Sequence, residues 1–198
     1  ALITDNRGAA IPGCPDGMDM HVMPAGRVAG GPRGWFAAAR NIWRGRAMAR
    51  ELFDTEPVFA PDGKSLYFVS DRGGSPQIYR MPAMGGPANR VTFSGNYNIS
   101  PALSPDGRWM AYISRIGNAY KLHLMDIASG NSSAITDTTA DERPSFAPNS
   151  RLIVFATRQD GREALMTTTL DGRIKARLAG QGGDLREPNW GPFSKAQP

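Results

Sequence analysis

The chain has 198 residues, 40% of them hydrophobic and 21% charged, a balance that fits a globular protein and excludes a disordered or collagen-like one. No run approaches the ~18 consecutive apolar residues of a membrane-spanning helix, so a soluble or membrane-peripheral chain is expected. The net charge of +5 invites a nucleic-acid reading, but residues 1–53 hold seven arginines against four acids and the remainder sixteen bases against fourteen acids, with no stripe of bases and aromatics to follow phosphates.

The first 53 residues stand apart. The chain starts at Ala1, with no charged stretch leading into an apolar core, so its N-terminus reads as cut and no signal peptide is in view. Cys14 has no second cysteine to pair with. Arg, Ala, Gly and Met dominate, and three readings compete. One is an amphipathic basic helix over 34–52, with Trp35, Phe36, Ala39, Ile42 and Trp43 near one face and Arg40, Arg44, Arg46 and Arg50 mostly elsewhere. The others are a linker, and a stretch read out of frame or joined artificially to a domain that begins near Asp54.

From Asp54 onward the chain repeats. "TEPVFAPDGKSLYFVSD" from Thr55, "ISPALSPDGRWMAYISR" from Ile99 and "ERPSFAPNSRLIVFATR" from Glu142 are followed by "REPNWGPF" from Arg186, and Pro57, Pro101, Pro144 and Pro188 advance by 44, 43 and 44 residues. A period of ~40–45 residues divided into short β-rich runs is that of propeller blades; helical repeats of similar length need an apolar spacing that is absent here. In each unit an inner strand such as Val58-Phe59-Ala60 leads to a Pro-Asp-Gly turn, where proline presets φ and Gly63 or Gly107 accepts a positive one. The third copy has "PNSR" over 148–151, which predicts a looser turn. Second strands "KSLYFVSD", "RWMAYISR" and "RLIVFATR" are apolar on both faces, as expected between two neighbouring blades. Third strands are read in "PQIYRM" (76–81), "YKLHLMD" (120–126) and "EALMTTT" (163–169), and outer strands in "RVTF", "SAIT" and "RIKARL".

The expected fold class is therefore all-β, a partial β-propeller of three four-stranded blades over 54–183 plus one extra inner strand in 184–198. Two domains result: the unmatched segment 1–53 and the propeller 54–198. A blade buries its two apolar faces only against neighbours, so three blades leave a face open at each end and the isolated chain should self-associate.

The strings "DTEPVFAPDGKSLYFVSDRGGSPQIYRM", "NISPALSPDGRWMAYISR", "DERPSFAPN" and "LDGRIKARLAGQGGDLREPNWGPF" closely resemble the C-terminal half of the propeller of the TolB family, periplasmic components of the Tol-Pal system of Gram-negative bacteria. The resemblance runs from residue 54 to about 193. It implies a six-bladed propeller preceded by a small α/β domain, export to the periplasm, no catalytic activity and no cofactor. It also implies binding of the peptidoglycan-associated lipoprotein Pal at one channel mouth and communication with TolA through an N-terminal segment, in support of outer-membrane integrity and division. That segment, the α/β domain and the first three blades have no counterpart in the motifs read here. The family's Pal-facing mouth includes the loops leading into the inner strands, and the matching residues are Thr55, Glu56, Asn98, Asp141, Glu142, Arg186 and Glu187. Thr55 and Glu56 carry over most directly. Polar side chains in successive loops around one ring end make a concave surface able to offer charge-assisted bonds, although acids before an extended proline segment also serve as plain loop caps.

The rival class is the propeller of a prolyl-oligopeptidase-like serine peptidase. Its nucleophile elbow needs Gly-x-Ser-x-Gly between strand and helix, and the nearest string, "GNSSA" over Gly130–Ala134, ends in alanine inside a hairpin linker. Of the histidines, His21 lies in the unmatched segment and His123 on a third strand, where packing is the simpler reading. Asp62, Asp106, Asp160 and Asp171 each precede glycine and read as turn residues, since none sits in the alternating acid run of a calcium loop.

Overall fold

The computed structural model describes residues 54–159, 161–178 and 186–191. The readings placed on residues 1–53, Cys14 and His21 among them, and on Asp160 lie outside these.

Each repeat folds as an antiparallel meander, and all-β architecture is what the described residues adopt. The first sheet is β1 (Asp54–Phe59), β2 (Ser65–Ser70), β3 (Gln77–Pro82) and β4 (Asn89–Arg90). The second is β5 (Asn98–Leu103), β6 (Trp109–Ile116), β7 (Ala119–Asp126) and β8 (Ser132–Ala134). The third is β9 (Glu142–Phe146), β10 (Leu152–Gln159), β11 (Arg162–Thr169) and β12 (Lys175–Arg177). Inner strands stack in sequence: β5 packs on β1, β2 and β3, and β9 on β5, β6 and β7.

Strand alternation explains why the second sheet is buried on both sides. Met110, Tyr112 and Met125 face the first sheet and meet Tyr67, Val69 and Ile78. One residue along, Ala111, Ile113, Leu122 and Leu124 face the third and meet Phe146, Ile153 and Phe155. Side chains as fully enclosed as Ile78, Ile113, Leu122 and Ile153 contribute about 1.5–3 kcal/mol each by burial. Ile174, Leu178 and Trp190, in or beyond the third sheet, are 68%, 39% and 36% exposed. Trp190 shares the repeat position of the buried Phe146, and no blade beyond it is among the described residues to cover it.

Three expectations need correction. The outer strands are shorter than read, because Thr92 and Thr136 leave the ladder and their Oγ1 atoms accept the Ile78 and Leu122 N–H groups instead, at 3.0 and 3.1 Å. The third turn is as tight as the others. Ala147 N donates to Leu152 O at 2.8 Å and Ser150 N to Ala147 O at 2.9 Å, matching the bonds around Gly63 and Gly107, while Ser150 takes the positive φ of 58° that glycine takes elsewhere. Asn149 Oδ1 accepts the Arg151 N–H at 3.0 Å, as Asp62 and Asp106 do for Lys64 and Arg108, so an Asx bond holds the turn that glycine would have eased. Third, the inner strands begin before their prolines, β1 and β5 by three residues and β9 by two. As for the fourth inner segment, residues 186–191 run beside β9, with Ser145 Oγ donating to Asn189 Oδ1 at 2.9 Å and accepting from Trp190 N at 3.2 Å. They form no ladder among the described residues, since the partner of an inner strand is the second strand of its own blade.

Candidate functional site at the channel mouth

The prolines create the site. Between Thr55↔Val69 and Val58↔Tyr67 the inner strand β1 holds two residues, Glu56 and Pro57, where β2 holds only Phe68. The same bulge sets Ser100 and Pro101 against Tyr112, and Arg143 and Pro144 against Phe155. In each the residue before proline lies in the left-handed region: Glu56 at φ 51°, Ser100 at 54°, Arg143 at 47°, and Glu187 in the fourth segment at 53°. A bulge of this kind normally takes glycine, and a non-glycine residue there costs on the order of 1–3 kcal/mol. Four successive repeats bear that cost with Glu, Ser, Arg and Glu.

These four side chains meet. The Glu56 carboxylate accepts the Ser100 N–H at 2.6 Å and its Oγ–H at 3.1 Å, joining the first blade to the second. Arg143 reaches Glu56 Oε1 with Nη1 at 3.5 Å and Glu187 Oε1 with Nη2 at 3.6 Å. The Glu56 side chain is 19% exposed, Arg143 50% and Glu187 68%. A continuous polar surface thus crosses the ends of three inner strands and the fourth inner segment, with the charge order minus, neutral, plus, minus.

Of the residues named from the sequence, Thr55 is exposed beside Glu56, and Glu142 and Arg186 line a small cleft of about 130 Å³ together with Arg158 and Glu163. Arg186 Nε donates to Glu163 Oε2 at 3.1 Å, with Nη2 on the other oxygen. Asn98 and Asp141 sit elsewhere: they are 0% and 1% exposed and point into the preceding blade. Asn98 Nδ2 donates to Gln77 Oε1 at 2.7 Å and Ser94 O at 2.9 Å. Asp141 accepts from Leu122 N at 2.9 Å, Thr138 Oγ1 at 2.5 Å and Thr157 Oγ1 at 2.7 Å, and also from Thr136 Oγ1. The residues missed are Ser100 and Arg143. Holding to a single column, the residue immediately before each proline, would have found them.

The features of the rival peptidase reading resolve into packing. Gly130–Ala134 forms part of the β7–β8 hairpin, where Ser132 Oγ is bonded to the Tyr112 hydroxyl at 3.0 Å. The His123 ring lies 5.4 Å from that of Tyr112, and both its nitrogens are buried without a hydrogen-bond partner. Burial, with Lys121 nearby, holds its pKa below the usual histidine value. Asp171, like the turn aspartates above, accepts an N–H two residues on, that of Arg173, at 3.1 Å.

Meanders stacked inner strand to inner strand, with a polar mouth across their ends, define a segment of a β-propeller protein. Residues 15–194 match the family model described as PD40, TolB beta propeller domain, and the chain belongs to that family. The match reaches upstream of Asp54, into the segment where no repeat motif is read. The chain is 51% identical over 142 residues to the Tol-Pal system protein TolB of Bordetella pertussis, a match covering 72% of the chain and 32% of that relative. With the Tol-Pal system protein TolB of a Polaromonas species it shares 78% identity over 68 residues, 34% of the chain and 16% of the relative. The crystal structure of TolB from Acinetobacter baumannii superposes with a TM-score of 0.65 at 41% identity, over 72% of this chain and 35% of that one. The chain thus spans about a third of the length of such relatives.

Proposed function

We propose that this chain is a non-catalytic, protein-binding part of a periplasmic Tol-Pal envelope protein, and that its channel mouth docks the lipoprotein Pal in support of outer-membrane integrity. Family membership supports the system, and the observation that carries the docking surface is the linked row Glu56, Ser100, Arg143 and Glu187 held in left-handed backbone. Thr55, Glu142, Arg186 and Glu187 edge the surface, while Asn98 and Asp141 hold the loops behind it. Glu56 uses two of a carboxylate's roughly four acceptor sites in its hydrogen bonds to Ser100, which leaves acceptor capacity for a partner beside the long Arg143 contact. Glu56→Ala is expected to weaken binding of Pal's soluble domain by roughly 1–3 kcal/mol in calorimetry. Unchanged affinity with the fold intact would remove Glu56 from the site. Association with TolA is a property of the whole family protein. The chain on its own is proposed to self-associate through exposed apolar groups such as Ile174, Leu178 and Trp190. A monomer that resists concentration in light scattering coupled to size-exclusion chromatography would contradict this.

A further inference from the structure

Among the four residues at the mouth, Arg143 is the cation, and its donors are little used by the protein itself. Its guanidinium is half-exposed, and its contacts to Glu56 and Glu187 are long, at 3.5 and 3.6 Å. Five N–H donors in a fixed fork are available to such a group, and none makes a hydrogen bond to any described residue. Its backbone stands at φ 47°, in a bulge position that glycine would occupy without strain. A side chain that stands there with no short bond to any described residue has its donors free to act outward.

We propose that Arg143 is a specificity-determining residue of the docking surface, donating to backbone carbonyl oxygens of the partner's inserted loop. This rests on the docking role proposed above. The local charge pattern selects the partner chemistry. Two carboxylates flank a single guanidinium, so the trio carries a net charge of −1 and disfavours an acidic loop. It presents acceptor, donor and acceptor in a row. Glu187, more exposed than Glu56 and held among the described residues by the 3.6 Å contact alone, accepts from peptide N–H groups or a basic side chain of the same loop. The matching segment is therefore a neutral or basic turn whose carbonyls reach Arg143 while its donors reach Glu187. Ser100 fixes the position of Glu56, and through Glu56 one side of the guanidinium.

The backbone strain supplies a test that separates this role from a structural one. In the full chain, Arg143→Gly is expected to leave the melting temperature unchanged or raise it, and to weaken binding of Pal's soluble domain by at least about tenfold. Arg143→Lys, which keeps the charge and loses the fork, should recover part of that loss. A clear drop in melting temperature for Arg143→Gly would make the residue a structural link between blades and overturn the inference. Equal affinities for wild type and Arg143→Gly would overturn it too, while leaving the docking role in place. Absence of binding by the wild type would overturn the docking role, and this inference with it.

Discussion

Asp141 and Arg143 are two residues apart on one inner strand, and they do opposite work. Asp141 is 1% exposed and its carboxylate accepts from the backbone of β7 and from threonines on both sides. Arg143 is half out of the surface and, among the described residues, makes only long ion pairs. The contrast is general. Asp54, Asn98 and Asp141, each three residues before its proline, anchor their blades, and the Asp54 side chain is 6% exposed against Arg72, whose guanidinium also lies 5.0 Å from the Phe68 and Tyr79 rings. Glu56, Ser100, Arg143 and Glu187, each directly before proline, line the mouth. The bulge sets the difference: it breaks the simple alternation of the strand and turns the residue before proline toward the channel end. Acidic character says nothing about which role a residue plays, since Asp141 and Glu56 are both acids.

The contrast is open to test at both columns. The largest expected effect is at Asp141: Asp141→Ala takes the acceptor from three threonine hydroxyls and leaves Leu122 N–H with Thr136 alone, and should cost about 3 kcal/mol of stability by urea unfolding, with little direct effect on the mouth. A loss under about 1 kcal/mol would place Asp141 with the surface residues instead. A smaller effect is expected at His123, a half-buried residue whose ring nitrogens are enclosed and unbonded among the described residues. Its folded pKa is depressed, so the stability associated with the neutral ring is complete above the unfolded value near 6.5 and declines as pH falls below it. Melting temperatures should therefore drop between about pH 6.5 and 5, above the range where ordinary carboxylates titrate, and His123→Leu should flatten that drop. An identical pH profile for the variant would mean that the ring is solvated in solution. The smallest effect is at Ser100. Ser100→Gly relieves the left-handed strain and loses one hydroxyl bond to Glu56, so stability should change by no more than about 0.5 kcal/mol. A loss above about 1.5 kcal/mol would show that this column, too, is structural.

Much of the fold was legible because its signals are chemical and periodic. Proline spacing marked the inner strands, and apolar runs such as Ser65–Ser70, buried at every position, marked the second strands. The outer strands were misjudged because a threonine hydroxyl can replace a ladder bond, and Thr92 and Thr136 look like ordinary strand formers. The third turn was misjudged because Asn149 and Ser150 together supply what Asp and Gly supply in the other copies. Of the residues read from the sequence, Thr55, Glu56, Glu142, Arg186 and Glu187 lie in or beside the linked polar row of the candidate site, whereas Ser100 and Arg143 of that row were not read from it. The sign that separates the mouth from the anchors is a positive φ, and with no glycine at these positions the amino-acid letters do not display it.

Three of the polar links between neighbouring repeats share one more property, their length along the chain. Glu56 to Ser100, Asp106 to Ser150 and Ser145 to Asn189 all span 44 residues, at different places in the ring. None of these three links skips a blade. The loop that must close before any of them forms is therefore fixed by the repeat and does not grow with the number of blades. Folding can spread from whichever meander forms first, each new unit docking on a neighbour already in place, and lengthening such an array should add steps without making any single step slower.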